Sequence, residues 1–136
     1  IINQIKRDNN MSTILIQNSN LLDVEKAEII EGVNVLIEKN KISELSDKEI
    51  KSSTAMKIDA KGKTLMPGLI DAHVHITATS VDLGRISNDP HSLTALRAGK
   101  LAEAMLMRGF TTIRDCTGAD MGFHQAIEDD VLKGPR

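Results

Sequence analysis

Aromatic residues are almost missing from this chain of 136 residues, which has no tryptophan, no tyrosine and two phenylalanines. Recognition of nucleic-acid bases or sugars by aromatic stacking is therefore not expected. Neither sign of charge is in large excess, since the formal net charge is −2 and no long block of like charge occurs. This balance argues against nucleic acid or an anionic membrane surface as the main partner.

Cysteine and long apolar runs are scarce as well. The single cysteine, Cys116, excludes an internal disulfide and favours a reducing compartment such as the cytoplasm. Its place at the end of a predicted strand favours a buried small hydrophobic side chain over a nucleophile. No apolar stretch is long enough to predict a transmembrane helix, and no signal-peptide pattern precedes the first predicted strand.

The first half of the chain is strand-like. Short strands are predicted at 12–17, 33–38, 42–45, 56–59 and 63–66 because apolar and β-branched residues alternate with polar ones there. Asn18-Ser19-Asn20 indicates a turn after the first of them. Lys39-Asn40 predicts a tight hairpin turn, since asparagine tolerates positive φ. The polar stretch 46–54 predicts a loop, with room for one helical turn.

The second half alternates strands and helices. Pro67-Gly68 predicts a sharp turn and a domain boundary. Strands are predicted at 69–76 and 111–116, helices at 90–107 and 123–132, and a long irregular segment at 77–91. Asp89 is the expected N-cap of the longer helix, with Pro90 at its first position. Gly109 is expected to end that helix.

Two histidines separated by one residue close the apolar strand at 69–76. Side chains alternate along a strand, so Asp71, His73 and His75 are predicted to point to the same face. Two neighbouring imidazoles can both bind one cation, and neutral histidine is a common zinc ligand. The alternative is a structural pair, with one satisfied and one exposed histidine. The other two histidines, His91 and His124, are expected to be solvated.

The string Pro67-Gly68-Leu69-Ile70-Asp71-Ala72-His73-Val74-His75 resembles the first barrel strand of the amidohydrolase superfamily of metal-dependent hydrolases. Residues 108–115 are similar to its second barrel strand, and the hairpin at 33–45 to part of its N-terminal β segment. Residues 126–128 and 133–136 are similar to the segment that leads into the third strand. Together these pieces resemble the branch that contains imidazolonepropionase-like enzymes and Xaa-Pro dipeptidases.

The resemblance implies an α/β fold: the start of a (β/α)8 TIM barrel preceded by part of a small β-sandwich domain. Such a barrel takes about 250 residues, so we expect this chain to be an N-terminal fragment. Residues 1–10 are expected to be an upstream extension, because the first methionine is Met11. Residues 11–66 would then belong to the β-sandwich, and residues 67–136 to the first two β/α units of the barrel.

The resemblance also implies a site. His73 and His75 match the ligands that the first strand gives to one or two divalent metal ions, with zinc as the default. The remaining ligands and the catalytic proton shuttle are expected beyond Arg136, so the chain alone is predicted to be inactive. Asp71 and Asp115 are candidates for supporting the ligands. The alternatives are backbone N–H bonds for Asp71 and a structural ion pair for Arg114 and Asp115.

The implied activity is hydrolysis of an amide or peptide-like C–N bond by a metal-activated water. The expected partner is a small-molecule or dipeptide-like substrate, and an Xaa-Pro dipeptidase or related carboxypeptidase is the narrower expectation. Association of identical chains is left open. Two alternatives stand beside this reading: a deaminase or phosphotriesterase-like member of the same superfamily, and a non-catalytic metal-binding domain.

Overall fold

The computed structural model describes residues 13–136, with the backbone alone described for Leu83. The expected upstream extension at residues 1–10 lies outside this range. The chain forms two compact units that meet between Pro67 and Gly68. The architecture is mixed α/β, because the first unit is built of strands and the second of strands and helices.

The first unit is a five-stranded sheet. Its strands are β1 (Ile14–Asp23), β2 (Glu28–Glu38), β3 (Lys41–Ser46), β4 (Met56–Asp59) and β5 (Thr64–Leu65). The order is β3-β2-β1-β4, with β5 pairing further along β1. β1, β2 and β3 are antiparallel neighbours, whereas β4 and β5 both run parallel to β1. Leu15, Leu36 and Ile50 form the buried core of this unit.

The turn predicted at residues 18–20 is wrong, because β1 continues through it as one strand with two register shifts. Asn18 has φ +55°, and its N–H donates to Asn34 Oδ1 at 3.2 Å. Its side-chain amide donates to Asp59 Oδ1 at 3.0 Å. Ser19 is fully buried and donates to the Val33 carbonyl at 2.7 Å. These polar groups are satisfied by neighbouring strands, so the chain bulges and resumes its ladder instead of reversing.

The predicted hairpin between β2 and β3 is confirmed. Lys39 and Asn40 have φ values of +50° and +62°, as a two-residue type I′ turn requires. The stretch 46–54, predicted as a loop with room for one helical turn, contains no helix.

The second unit places two parallel strands beside three helices. Its elements are β6 (Leu69–Val74), α1 (Leu83–Asn88), α2 (His91–Met107), β7 (Phe110–Asp115) and α3 (Met121–Glu128). β6 and β7 pair in parallel. Ile76, Ala98 and Ala102 form the buried core between the strands and α2. Within residues 13–136, no helix combines the length and the hydropathy needed to cross a bilayer.

Two details before α2 differ from the prediction. The segment 77–91 is not wholly irregular, because it contains α1, whose first turn is capped by the Asp82 side chain. Asp89 is not the N-cap of α2, since Pro90 takes that position without a side-chain cap. The Asp89 carboxylate instead forms an ion pair with Arg97. The ion pair with Arg97 thus takes the place of the capping bond that was predicted for Asp89.

Candidate metal centre

His73 and His75 lie together at the carboxyl end of β6. His73 is the fifth residue of the strand, and His75 follows its last residue. Their Nε2 atoms are 3.3 Å apart. The rings meet edge to face, with centroids 5.1 Å apart and an interplanar angle of 81°. Both residues are exposed.

This spacing fits two ligands of one tetrahedral metal ion. Zinc binds imidazole nitrogen at about 2.0–2.1 Å, which sets neighbouring ligand nitrogens about 3.3–3.4 Å apart at the tetrahedral angle. The observed Nε2 separation of 3.3 Å equals this edge without any side-chain rearrangement. The same distance also allows one neutral imidazole to donate to the other. Among residues 13–136, no group of three or more histidine, cysteine or carboxylate side chains is placed to hold a metal ion.

The strand that carries the histidines is irregular next to them. Asp71 pairs with Ile113 and Val74 with Asp115, so β6 has one more residue than β7 between these two pairs. The extra residue leaves Ala72 and His73 outside the regular register, and it interrupts the predicted alternation of faces. Asp71 Oδ1 accepts a hydrogen bond from the backbone N–H of His73 at 3.2 Å. The Asp71 carboxylate therefore bonds to a backbone N–H.

Arg114 and Asp115 follow one another at the end of β7 and both contact the backbone of the histidine strand. Arg114 Nε donates to the Ala72 carbonyl at 2.8 Å. Asp115 Oδ2 accepts from the Ile76 N–H at 2.7 Å, and its Oδ1 accepts from the Ala119 N–H at 3.4 Å. These bonds take the place of the expected ion pair. Strand alternation gave no signal for them, because they depend on the bulge.

Cys116 is exposed, so the prediction of a buried hydrophobic side chain is wrong. β7 ends at Asp115, and Cys116 lies beyond the alternating part of the strand. Its backbone N–H still donates to the Val74 carbonyl at 2.9 Å. The contribution of Cys116 to the end of β6 is therefore made by its main chain.

The other polar groups do not join the histidine pair. His91 and His124 are exposed, as expected for solvated side chains. A cavity of about 400 Å³ lies beside Asp115, lined mainly by apolar side chains such as Ile76 and Phe123. Neither His73 nor His75 lines it, so this cavity is separate from the candidate metal ligands.

The sequence profile of the amidohydrolase family matches residues 57–124, which is half of the chain. The chain belongs to the amidohydrolase family. The matched range contains the histidine strand, α2 and β7. The resemblance inferred from the residues around Pro67 and His75 is thereby confirmed.

Two solved structures resemble this amidohydrolase-family chain over nearly its whole length. An amidohydrolase is 50% identical and superposes with a TM-score of 0.85 over 92% of this chain and 30% of its own. A prolidase, solved as a complex with N-methylphosphonate-L-proline, is 40% identical with a TM-score of 0.86, over 92% of this chain and 31% of its own. The chain therefore spans less than a third of these structures.

Curated relatives carry other activities, and two of them match over a shorter stretch. The 5-methylthioadenosine/S-adenosylhomocysteine deaminase of Caldanaerobacter subterraneus is 40% identical over 63 residues, which is 46% of this chain and 14% of the deaminase. The dihydroorotase of Syntrophotalea carbinolica is 46% identical over 63 residues, again 46% of this chain and 14% of the relative. Similarity in this region is thus shared by enzymes with different substrates.

Proposed function

We propose that the protein to which this chain belongs is a metal-dependent hydrolase of C–N bonds, and that His73 and His75 hold its metal ion. The observation that carries the proposal is the 3.3 Å separation of their Nε2 atoms at the exposed end of a parallel strand. This spacing equals the edge between two ligand nitrogens of a tetrahedral ion, and the exposed position of both rings leaves them accessible at the end of the strand. Membership of the amidohydrolase family supports the same conclusion.

The proposed architecture is a (β/α)8 barrel in which β6 and β7 are the first two strands, preceded by a small β-sandwich that includes β1 to β5. The parallel pairing of β6 and β7 supports this arrangement. Residues after α3 also support it: Arg136 accepts from the Ile113 N–H at 2.8 Å and donates to the Thr111 carbonyl at 3.1 Å. Arg136 thus pairs with the free edge of β7, where a third strand would lie. Active sites of such barrels lie at the carboxyl ends of the strands, where His75 is found.

The roles of the chain's own residues follow from its chemistry. A divalent ion supplies Lewis acidity, which activates water and polarises the scissile carbonyl. His73 and His75 would each present a deprotonated Nε2 to the ion, as metal binding requires. A catalytic zinc takes three protein ligands, so further ligands must come from outside residues 13–136.

The substrate class that we propose is a dipeptide or related amide, as in an Xaa-Pro dipeptidase. The likeness to a prolidase extends over 92% of the chain at 40% identity. Adenine deaminases match 78% and 87% of the chain, but at 29% identity, and the likeness to another deaminase at 40% identity covers a shorter stretch, 46% of the chain. The alternative is a deaminase or dihydroorotase activity, and it is supported by identities of 40% and 46% over that shorter stretch. A divalent metal, with zinc as the default, is common to both proposals.

The test is metal analysis of the complete protein with single histidine variants. We expect His73→Ala and His75→Ala to lose bound metal, and the rate on Xaa-Pro dipeptides to fall by more than about 100-fold, since loss of a ligand exceeds the loss of its supporting groups. His91→Ala is the matched control, because His91 is an exposed histidine outside the pair. It should keep both metal and activity.

The outcomes separate the alternatives. Wild-type metal content in His73→Ala would contradict the metal site. Metal-dependent activity on dihydroorotate or methylthioadenosine, with none on dipeptides, would favour the deaminase or dihydroorotase alternative over the dipeptidase proposal. It would not contradict the proposed metal site. A protein that binds no divalent metal and hydrolyses none of these compounds would leave the structural histidine pair as the correct reading.

A further inference from the structure

The peptide groups on the two sides of the histidine pair are each bonded at both ends. The peptide group before His73 has its carbonyl, on Ala72, bonded to Arg114 at 2.8 Å. Its N–H, on His73, donates to Asp71 Oδ1 at 3.2 Å. Both partners are side chains, because the bulge removes Ala72 and His73 from the regular ladder with β7.

The peptide group after His75 is held in a similar way. Its N–H, on Ile76, donates to Asp115 Oδ2 at 2.7 Å. Its carbonyl, on His75, accepts from the Ala78 N–H at 2.9 Å. The Asp115 carboxylate also accepts from the Ala119 N–H at 3.4 Å, so the loop after β7 is joined to the end of the histidine strand.

These bonds bear on the imidazoles through geometry. The orientation of the peptide groups beside a residue determines its φ and ψ, and with them the direction of its Cα–Cβ bond. A bulged strand lacks the ladder bonds that normally set these angles. Without other restraints, the separation of 3.3 Å between the two Nε2 atoms would vary, whereas each metal–ligand distance in a well-formed site lies within about 0.2 Å of its standard value.

We infer that Arg114 and Asp115 are positioning residues for the metal ligands, acting through the backbone before His73 and after His75. This inference rests on the proposed metal site. It differs from the usual support of a metal-bound histidine, in which a carboxylate or carbonyl accepts the second ring N–H. Here the charged side chains bond to peptide groups and not to the rings, and both come from consecutive residues of the neighbouring strand.

Deletion and conservative variants at the same position test the inference. Asp115→Ala removes the acceptor for the Ile76 N–H, whereas Asp115→Asn keeps an acceptor oxygen. We expect the Zn²⁺ affinity of the complete protein, measured by competition with a chelating indicator, to fall about 10- to 100-fold in Asp115→Ala, the usual cost of losing a supporting partner. Asp115→Asn should restore most of the affinity, because its one acceptor oxygen can serve the Ile76 N–H and the bond that it loses is the longer one from Ala119, at 3.4 Å.

Variants of Arg114 test the inference in the same way, and they keep it testable if Asp115→Ala does not fold. Its side chain is exposed, so Arg114→Met is not expected to disrupt packing. It should weaken Zn²⁺ binding, and Arg114→Lys should recover part of the loss through its remaining donor. Arg97→Ala is the matched control, because it removes a half-buried ion pair with Asp89 in the same unit and leaves Zn²⁺ affinity unchanged. Folded Arg114→Met or Asp115→Ala with wild-type affinity would overturn the inference.

A second readout works without metal. Hydrogen exchange of the Ile76 amide, followed by NMR, should be slow in the wild type and in Asp115→Asn and fast in Asp115→Ala. If the wild type binds no Zn²⁺, the proposed function fails, and the exchange rate still reports whether Asp115 holds this peptide group. If Zn²⁺ binds and Ile76 exchanges at the same rate in Asp115→Ala as in the wild type, the positioning role fails and the metal site stands.

Discussion

Gly118, in the loop after β7, approaches Thr77, in the turn after the histidine pair, so closely that no larger residue fits. A Cβ atom added to Gly118 would lie 2.0 Å from Thr77 Oγ1 and 3.3 Å from Thr77 Cβ. Gly118 also has φ +107°, a conformation that L side chains rarely adopt. Gly118→Ala is therefore expected to destabilise the second unit for two separable reasons.

The two contributions can be estimated separately. An unfavourable backbone conformation costs about 1–3 kcal/mol, offset by roughly 0.4–1 kcal/mol because alanine restricts the unfolded chain. Forcing a methyl group against a packed side chain adds about 1–3 kcal/mol. We expect Gly118→Ala to lower the free energy of unfolding by about 2–5 kcal/mol. Gly109→Ala measures the backbone part alone, since Gly109 has φ +97° and no atom within 4 Å of an added Cβ.

The assay is urea denaturation followed by circular dichroism at 222 nm, because the chain has no tryptophan or tyrosine. Gly109→Ala should cost about 1–2 kcal/mol. The double variant Gly118→Ala/Thr77→Ala should fall back to nearly that value, because it removes the Thr77 hydroxyl oxygen and leaves the Thr77 Cβ at 3.3 Å. Equal costs for Gly109→Ala and Gly118→Ala, or no recovery in the double variant, would refute the steric argument.

Two further predictions concern the bulge in β1. Ser19→Ala removes the fully buried hydroxyl that bonds to the Val33 carbonyl, and urea denaturation should show a loss of about 1–3 kcal/mol, more than for Ser43→Ala at an exposed position. Asn18→Gly keeps the positive φ but removes the side-chain hydrogen bond that is the main cause of the lowered pKa of Asp59. The NMR-titrated pKa of Asp59 should rise toward its ordinary value in this variant. A carboxyl group whose pKa is lowered in the folded state stabilises the fold above its unfolded pKa, and this stabilisation is lost as the pH falls through the folded pKa. The loss of stability in acid should therefore be smaller in Asn18→Gly than in the wild type. An unchanged pKa would show that the Asn18 side chain is not the cause.

Most elements of the fold were predicted from short-range patterns. The hairpin turn at Lys39-Asn40 and the end of α2 at Gly109 follow from backbone preferences of single residues, which act locally. The predicted turn in β1 failed because a distant partner decides the outcome. Asn18 indicated a turn, but Asn34 and Asp59 bond to it from other strands and keep β1 continuous.

For the candidate site, the sequence alone determined which residues are the candidate ligands: a strand pattern that ends in His73 and His75 places two imidazoles side by side. The sequence could not show how their backbone is held. The bulge in β6 and the bonds from Arg114 and Asp115 exist only because β7 lies beside β6. Arg114, for example, is 42 positions along the chain from Ala72, whose carbonyl it contacts. Alternation is a property of consecutive residues, whereas register depends on the partner strand, so the spacing of the two imidazoles was decided by the tertiary structure.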